Sequence, residues 1–313
     1  MNSFKKTILG IPVVVLWHIV IRVTVQGQEC SCSHSQGNCP SDTCSTYQWI
    51  PEDQHPCTVE RISFHEYQQR FGPRGLPPLF PTPIVIAHDD DDNNNNNSKQ
   101  YSRNHAFRQL TRFETILDFF TPGFNITLSS SNSFSEHRKT MPLEQYLQSL
   151  ATQDTLPHQL SNETWYFFGE TYSAEWKQLL LQYDIPHCQA CQRDMVALSF
   201  GIGNRGSGVQ WHVHGPGFAE TIWGRKHWIL SPPTTTTPPD FHPDQTSRNW
   251  MEFTYPTLPV EKRPLECTLE PGDILYFPDM WYHATINLDP YTAFVSTFTQ
   301  EHLFVQSSQK NEK

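Results

Sequence analysis

The sequence has few basic residues and no basic block, since 22 Lys and Arg residues face 32 Asp and Glu residues, for a formal net charge of −10. Phosphate contacts need a Lys/Arg face, so this balance argues against a nucleic-acid partner. Apolar residues are scarce, at 37%, but aromatic residues make up 13%, which is too many for a chain that is disordered throughout. A length of 313 residues fits one or two domains.

Long apolar runs are missing except near the N-terminus. Lys5 and Lys6 precede an apolar run over residues 8–21, which is shorter than the roughly 20 residues that a membrane-spanning helix needs. Small residues follow at positions 25–27. The pattern predicts a signal peptide over residues 1–27, with a retained signal anchor as the alternative. We expect no stable membrane span after its removal.

Cysteine usage and sequons point to the same compartment. The eight cysteines all follow Gly27, and Asn-x-Ser/Thr sequons occur at Asn96, Asn125 and Asn162. An even cysteine count with glycan acceptors is typical of an oxidising compartment. The sequence therefore predicts a glycoprotein of the endoplasmic reticulum lumen, or a secreted one. Its last four residues are not a retrieval signal.

The cysteines fall into two local groups and two separate residues. A Cys-rich extension over residues 28–56 favours local disulfides, rather than a zinc knot, among Cys30, Cys32, Cys39 and Cys44. Cys188 and Cys191 form a Cys-x-x-Cys, for which a structural disulfide is favoured over a redox pair because no βαβ pattern surrounds it. If both groups pair locally, Cys57 and Cys267 are left to pair with each other.

Helical patterns occur in the first half of the chain and strand patterns in the second. A capping box at Ser63 opens one helix, Ser173 caps another, and apolar spacing predicts helical faces over residues 107–117 and 143–150. An Asp/Asn-rich tract over residues 89–97 is predicted to be a solvated loop. Short strands are predicted at residues 84–87, 196–202, 209–214, 218–223, 227–230, 265–269, 273–277, 283–288 and 293–299. This spacing predicts a mainly β sandwich or barrel with flanking helices, an α+β fold.

Histidines in two short motifs are the candidate functional residues. Trp211-His212-Val213-His214 lies in a predicted strand, where residues i and i+2 face the same side. The second motif, Trp281-Tyr282-His283, follows an apolar strand. Together the two motifs single out His212, His214 and His283 as the candidate residues for chemistry.

These segments resemble the two motifs of the cupin superfamily and, more narrowly, the JmjC domain. Gly206 precedes His212 with the first cupin spacing, while Gly272, Pro278, His283 and Asn287 match the second. The JmjC resemblance is carried by Gly224-Arg225-Lys226-His227-Trp228 with Pro232-Pro233, and by Pro271-Gly272-Asp273 with Trp281-Tyr282-His283. Weaker similarity reaches back to Cys57 and points to a small lumenal subgroup of the family.

The resemblance implies a double-stranded β-helix (jelly-roll, cupin-type) domain over residues 57–302, with its core at about 196–300 and a tail over 303–313. It implies an Fe(II)- and 2-oxoglutarate-dependent dioxygenase that hydroxylates a protein or peptide. The family's two metal histidines correspond to His212 and His283, and its 2-oxoglutarate lysine corresponds to Lys226. We infer no oligomeric state from the sequence.

The sequence departs from the family at the third metal ligand. His214 stands where the family has Asp or Glu, and Glu220 is the alternative ligand if its side chain faces inward. Three functions remain open: a lumenal hydroxylase, a catalytically silent JmjC scaffold acting through protein–protein interaction, and a three-histidine metallocupin with other chemistry. Histone demethylation is disfavoured, because the chain is acidic, small and predicted to be exported.

Overall fold

The computed structural model describes residues 22–25, 28–31, 57–88, 103–131, 137–153, 164–233, 237–242 and 244–299. The chain divides into two compact units, Met1–Tyr47 and Gln48–Lys313. In the first unit, β1 (Arg22–Val25) and β2 (Gln28–Ser31) pair antiparallel, on either side of the predicted cleavage position. The apolar run of the predicted signal peptide, most of the Cys-rich extension, the Asp/Asn-rich tract and the tail lie outside the described residues.

The described part of the second unit contains two β-sheets. Its strands are β3 (Glu60–Ser63), β4 (Ile84–Ala87), β5 (Asn125–Ser129), β6 (Arg138–Pro142), β7 (Tyr166–Phe168), β8 (Val196–Gly203), β9 (Gly217–Trp223), β10 (Lys226–Ser231), β11 (Leu265–Leu269), β12 (Ile274–Phe277), β13 (Tyr282–Asn287) and β14 (Thr292–Thr299). One sheet has the order β3-β4-β12-β9-β14-β8-β7-β5-β6, and the other has the order β11-β10-β13. Neighbouring strands are antiparallel except β3 and β4.

Side chains from both sheets meet in one apolar cluster, which includes Ala219 of β9, Trp228 of β10 and Phe277 of β12. Alternating residues of a strand face opposite sides, so one face of each sheet closes this interior. The arrangement confirms the predicted mainly β fold with flanking helices and its double-stranded β-helix.

Among the described residues, none of the helices has both the length and the apolar character to cross a membrane.

The helices pack on the outer faces of the two sheets, most of them on the large sheet and the turn that contains Trp250 on the small one. They are α1 (Phe64–Phe71), α2 (His105–Leu110), α3 (Leu143–Gln153), α4 (Ala174–Leu180) and α5 (Ser247–Asn249), with 3-10 turns at Gly72–Arg74, Ile116–Phe119, Tyr255–Thr257 and Val260–Lys262 and a π-helical turn at Trp250–Thr254. The predicted caps are present, because Ser63 Oγ accepts from Glu66 N at 3.0 Å and Ser173 Oγ accepts from Trp176 N at 3.4 Å.

The predicted helical face over residues 107–117 is shorter than expected. Helix α2 ends at Leu110, and a separate 3-10 turn follows at Ile116–Phe119. Thr111 closes the helix, because both its backbone N–H and its hydroxyl donate to the carbonyl of Phe107. Leu117, expected on the buried face, is 37% exposed.

The strand predicted over residues 209–214 is also corrected by the structure. Only His212 pairs there, in an isolated antiparallel bridge with His283. The regular ladder is interrupted because the N–H of Val209 donates to the hydroxyl of Thr285 at 3.0 Å, and that of Gln210 donates to the carbonyl of Ser131 at 2.8 Å. The segment still lies along β13, which brings the two histidine motifs together.

Two disulfides lie in the second unit. Cys57, just before β3, is bonded to Cys267 in β11, and Cys267 is fully buried. Cys188 is bonded to Cys191 in the loop that follows α4. The predicted local pairing of Cys32, Cys39 and Cys44 lies outside the described residues, and that of Cys30 involves a side chain that is not described.

Candidate metal centre

Three histidine side chains from two segments converge inside the barrel. His212 and His214 lie on the segment before β9, and His283 lies on β13. The backbone bridge between His212 and His283 joins them through two hydrogen bonds of 3.0 Å. One ring nitrogen from each residue belongs to a set whose members all lie within 4.8 Å of one another. The structure therefore brings together the three predicted metal ligands.

The backbone orients all three rings in the same way. Nδ1 of each ring faces a main-chain carbonyl: His212 that of Gln210 at 2.7 Å, His214 that of Gly215 at 2.8 Å, and His283 that of Trp281 at 2.9 Å. A carbonyl oxygen only accepts hydrogen bonds, so Nδ1 carries the proton in each ring. In the neutral ring the lone pair then lies on Nε2. The local backbone thus selects the tautomer that a metal ligand needs.

Burial keeps the imidazoles of His212 and His283 neutral. It lowers the pKa of His212 to about 3, and the neighbouring His214 reinforces this effect. Burial also lowers the pKa of His283 well below its ordinary value, with further contributions from His212 and His214. Neutral rings at physiological pH are the ligating form, so protons do not compete with a cation for these nitrogens there.

The spacing of the nitrogens fits a metal ion. Nε2 of His214 lies 3.1 Å from Nε2 of His283. Two neighbouring imidazole nitrogens, each about 2.1 Å from one ion at a right angle, are about 3 Å apart. Lone pairs at this separation repel each other, and a cation between them removes the repulsion. Three imidazoles suit iron, zinc, copper or nickel and leave further coordination positions open.

Aromatic rings enclose the three histidines. Phe277 stacks on His283 with 5.0 Å between the ring centroids, and Trp228 stacks on the same ring at 5.7 Å. Phe277 and Phe298 contact His214 edge-on. Trp228 belongs to the apolar cluster between the two sheets and also lines the centre.

Lys226 opens onto the same cavity as the histidines. It is the first residue of β10, stands opposite Asn287 of β13, and is 1% exposed. Its Nζ donates to Asn287 Oδ1 at 2.9 Å. Burial lowers the pKa of Lys226 to about 7. An ammonium group at this position can hold the carboxylate of a small anionic ligand.

Glu220, the alternative ligand, lies on the other side of the large sheet. It stands opposite Val295 of β14, whereas Phe294 and Ser296 line the histidine cavity. Residues that are opposite in register point to the same face, so Glu220 points away from the histidines. Its carboxylate is held instead by Arg103, Asn104 and Tyr183. The structure therefore does not bring Glu220 into the metal centre.

The partners of Glu220 form a closed polar cluster. Tyr183 Oη donates to Glu220 Oε2 at 3.0 Å, and Asn104 Nδ2 donates to the same oxygen at 3.0 Å. Burial, the largest single effect, lowers the pKa of Arg103, but Glu220 and Tyr183 together outweigh burial and raise this pKa above its ordinary value. Sequence reasoning missed this cluster, because its residues lie up to 117 positions apart in the chain and share no motif.

Phe294 is a second residue that sequence reasoning missed. It lines the cavity together with Ser296 and Phe298, at alternating positions of β14. The period-2 pattern of this strand was a usable signal, since three alternate residues must share a face.

Of the sequons, Asn125 is exposed at the start of β5, while Asn96 and Asn162 lie outside the described residues.

Comparisons with known proteins agree with this geometry. The cupin-like domain family matches residues 86–302. Human JmjC domain-containing protein 8 is 39% identical over 250 residues, which cover 79% of this chain and 85% of that protein, and the mouse protein is 40% identical over 79% and 83%. The Caenorhabditis elegans protein named bifunctional arginine demethylase and lysyl-hydroxylase psr-1 is 30% identical over 31% of this chain and 28% of its own.

A solved structure of Escherichia coli ribosomal oxygenase YcfD matches 78% of this chain and 53% of that chain, with 14% identity and a TM-score of 0.38, which is too low to add to the assignment. The family match and the two mammalian relatives confirm the predicted subgroup resemblance. The chain therefore belongs to the cupin-like JmjC domain family and is similar over most of its length to JmjC domain-containing protein 8.

Proposed function

We propose that the chain is an Fe(II)- and 2-oxoglutarate-dependent hydroxylase of protein or peptide substrates in the secretory pathway. The observation that carries this proposal is that three imidazole Nε2 atoms and one buried amine, on Lys226, open onto a single cavity. When bound, the iron and the 2-oxo acid supply oxidation of a substrate C–H bond by O₂. The relatives named as demethylases and hydroxylases support this reaction class.

The chain's own residues have separate tasks in this proposal. His212, His214 and His283 hold the ion, and the carbonyls facing their Nδ1 atoms keep the rings oriented. Lys226 holds the far carboxylate of 2-oxoglutarate as a point charge, and Asn287 holds Lys226. Phe277, Trp228 and Phe298 exclude water from the ion.

The third histidine changes the charge of the site. Two histidines and a carboxylate around a divalent ion leave a net charge of about +1, whereas three neutral histidines leave about +2. A dianionic ligand such as 2-oxoglutarate neutralises the second arrangement. Replacement of the carboxylate by histidine is therefore compatible with binding of 2-oxoglutarate. We expect the replacement to affect the reaction that follows binding.

The secretory location is supported by the cysteines. The Cys57–Cys267 and Cys188–Cys191 disulfides suit an oxidising compartment, and Asn125 is exposed within its sequon. Glycosidase treatment of the protein from secretory cells tests the location. A mobility shift that is smaller in Asn125→Gln supports it, whereas reduced Cys57 and Cys267 in the cellular protein contradict it.

Purified protein with Fe(II), 2-oxoglutarate and O₂ tests the activity through succinate release. We expect turnover above a His212→Ala control, and a larger release from His214→Asp, which restores the family's carboxylate. Lys226→Met must raise the 2-oxoglutarate concentration needed for half-maximal release. Turnover equal to that of His212→Ala in both the natural chain and His214→Asp contradicts the proposal.

A three-histidine metallocupin is the second candidate, and the neutral ligand set of His212, His214 and His283 favours it. It predicts one metal ion per chain, lost in His283→Ala and retained in Glu220→Gln, with no response of the protein to 2-oxoglutarate. Metal analysis and calorimetric titration of the same samples separate the two candidates. The same metal analysis also detects a scaffold that binds no metal, because the natural chain, His283→Ala and Glu220→Gln would then all lack the ion.

A further inference from the structure

The ammonium group of Lys226 already has two neighbours inside the cavity. One N–H donates to Asn287 Oδ1 at 2.9 Å. On another side, Nζ lies 3.9 Å from the centroid of the Phe294 ring, which places the cation against the ring face. The ring is in van der Waals contact with the amine at this distance, so no carboxylate oxygen fits between them.

The fold holds the Phe294 ring in this place. Phe294 stands opposite Gly201 of β8, and a Cβ atom at Gly201 would overlap the ring. The missing side chain therefore makes room for the ring to lie across β8. Phe168 of β7, which is also opposite Gly201, packs against the ring with 5.2 Å between centroids. The contact between Phe294 and Lys226 is thus built by three neighbouring strands.

We propose that Phe294 is a specificity-determining residue whose ring occupies the carboxylate position at Lys226 and competes with the far carboxylate of 2-oxoglutarate. This inference rests on the proposed function, in which Lys226 anchors that carboxylate. A dicarboxylic 2-oxo acid reaches Lys226 only after the ring moves away, which lowers its affinity. A 2-oxo acid without the second carboxylate does not meet this barrier. Phe294 therefore shifts the preference of the cavity away from five-carbon dicarboxylates.

Calorimetric titration of the Zn(II)-loaded protein with 2-oxoglutarate measures this competition without turnover. We expect Phe294→Ala to lower the Kd for 2-oxoglutarate about 10-fold, because a desolvated cation–ring contact is lost from the free state. Lys226→Met in the Phe294→Ala background must cancel the gain. For 2-oxobutyrate, which has no far carboxylate, the Kd must change less than about 2-fold.

Two further variants keep the test decisive. Phe298→Ala removes an aromatic ring of the same cavity that contacts His214, so it is the matched control for simple enlargement, and we expect no gain in 2-oxoglutarate affinity. Phe294→Leu retains apolar volume and gives a folded alternative if Phe294→Ala unfolds. We expect it to lower the Kd as well, by a smaller factor, since Leu has no ring face for the cation.

The outcomes also separate this inference from the proposed function. If the natural chain binds 2-oxoglutarate through Lys226 and neither Phe294 variant binds it more tightly, the cosubstrate site stands and the role of Phe294 is wrong. An equal gain for 2-oxobutyrate, or for Phe298→Ala, overturns it in the same way. If metal-loaded protein shows no Lys226-dependent binding in any variant, both the inference and the 2-oxoglutarate site fail.

Discussion

Two buried polar clusters lie on opposite sides of the nine-stranded sheet, and they differ in how their donors and acceptors are matched. Around Glu220, the donors of Arg103, Asn104 and Tyr183 surround one carboxylate. Around His212, His214 and His283, the donors of the rings point outward to carbonyls and the Nε2 lone pairs converge. The first arrangement is complete within the protein, whereas the second is arranged for a cation.

This comparison indicates a structural role for Glu220 and supports the proposed metal-binding role of the histidines. A buried charge is tolerated when its partners are present. Converging lone pairs lower their energy when a metal binds, and the surrounding backbone keeps them in place before it does. Each cluster can be broken separately, because no described contact joins Glu220 to the histidines.

The largest expected effect is on stability and comes from the Glu220 cluster. Glu220→Ala leaves the guanidinium of Arg103 without its carboxylate and should lower the free energy of unfolding by about 3–5 kcal/mol. Urea unfolding measures this loss. Zinc affinity, measured in buffer without urea, should stay within about 2-fold, because losses of roughly 10–100-fold are typical of residues that hydrogen-bond to the metal ligands, and Glu220 does not.

The double variant Arg103→Met/Glu220→Leu is the control for charge removal. It should recover most of the lost stability, because replacement of a buried ion pair by apolar residues of similar size is often neutral. If Glu220→Ala instead reduced zinc affinity 100-fold at unchanged stability, the assignment of the two clusters would be reversed.

The next effect is on metal binding. His283→Ala removes one of three imidazoles and should weaken zinc binding by about 100-fold or more. Removing a ligand costs more affinity than removing a residue that only hydrogen-bonds to a ligand, which costs roughly 10–100-fold. Competition with a chromophoric chelator measures the affinity. His227→Ala is the matched control: His227 is buried on β10, in the same sheet as His283, but its ring hydrogen-bonds to Thr268 and Glu266, so its removal should leave zinc affinity nearly unchanged.

A third effect concerns the pH dependence of the metal-free protein. The pKa of His212 is about 3 when folded and about 6.5 when unfolded. Between these values the unfolded chain binds the extra proton, so stability falls as pH falls, with a slope of about 1.4 kcal/mol per pH unit. From pH 6.5 to pH 5 the loss is about 2 kcal/mol.

Urea unfolding in the presence of a chelator at several pH values measures this slope. His212→Gln removes the titrating group and should flatten the curve by that amount over the same interval. An unchanged slope in His212→Gln would show that this ring is not held neutral by the fold.

The smallest effect sharpens the description of the Glu220 cluster. Burial raises the pKa of Tyr183 well above its ordinary value, and Glu220 adds to this, so the hydroxyl remains protonated and donates. Tyr183→Phe removes one hydrogen bond to a charged group and should cost about 1.5 kcal/mol. Thermal unfolding detects it, and Tyr172→Phe, at an exposed residue, should show no change.

Much of the local structure could be predicted because its causes are local. Ser63 and Ser173 cap helices through the first turns of those helices, and the short runs predicted from Val196 onward, except 209–214, form strands. The segment at 209–214 could not be predicted as it is, because Thr285 and Ser131, distant in sequence, take its hydrogen bonds. Its two histidines nevertheless face one centre, as their spacing indicated.

The sequence by itself determined the residue types on which the proposed function rests: two histidine motifs, a lysine after a glycine turn, and an even number of cysteines. The tertiary structure alone decided that Glu220 faces away from the histidines and that the Phe294 ring lies on Lys226. The physical reason is that a strand has two equivalent faces. Pairing with the neighbouring strands selects which face of a strand meets the cavity. The strand of Glu220 pairs with β12 and β14, and the strand of Phe294 pairs with β8.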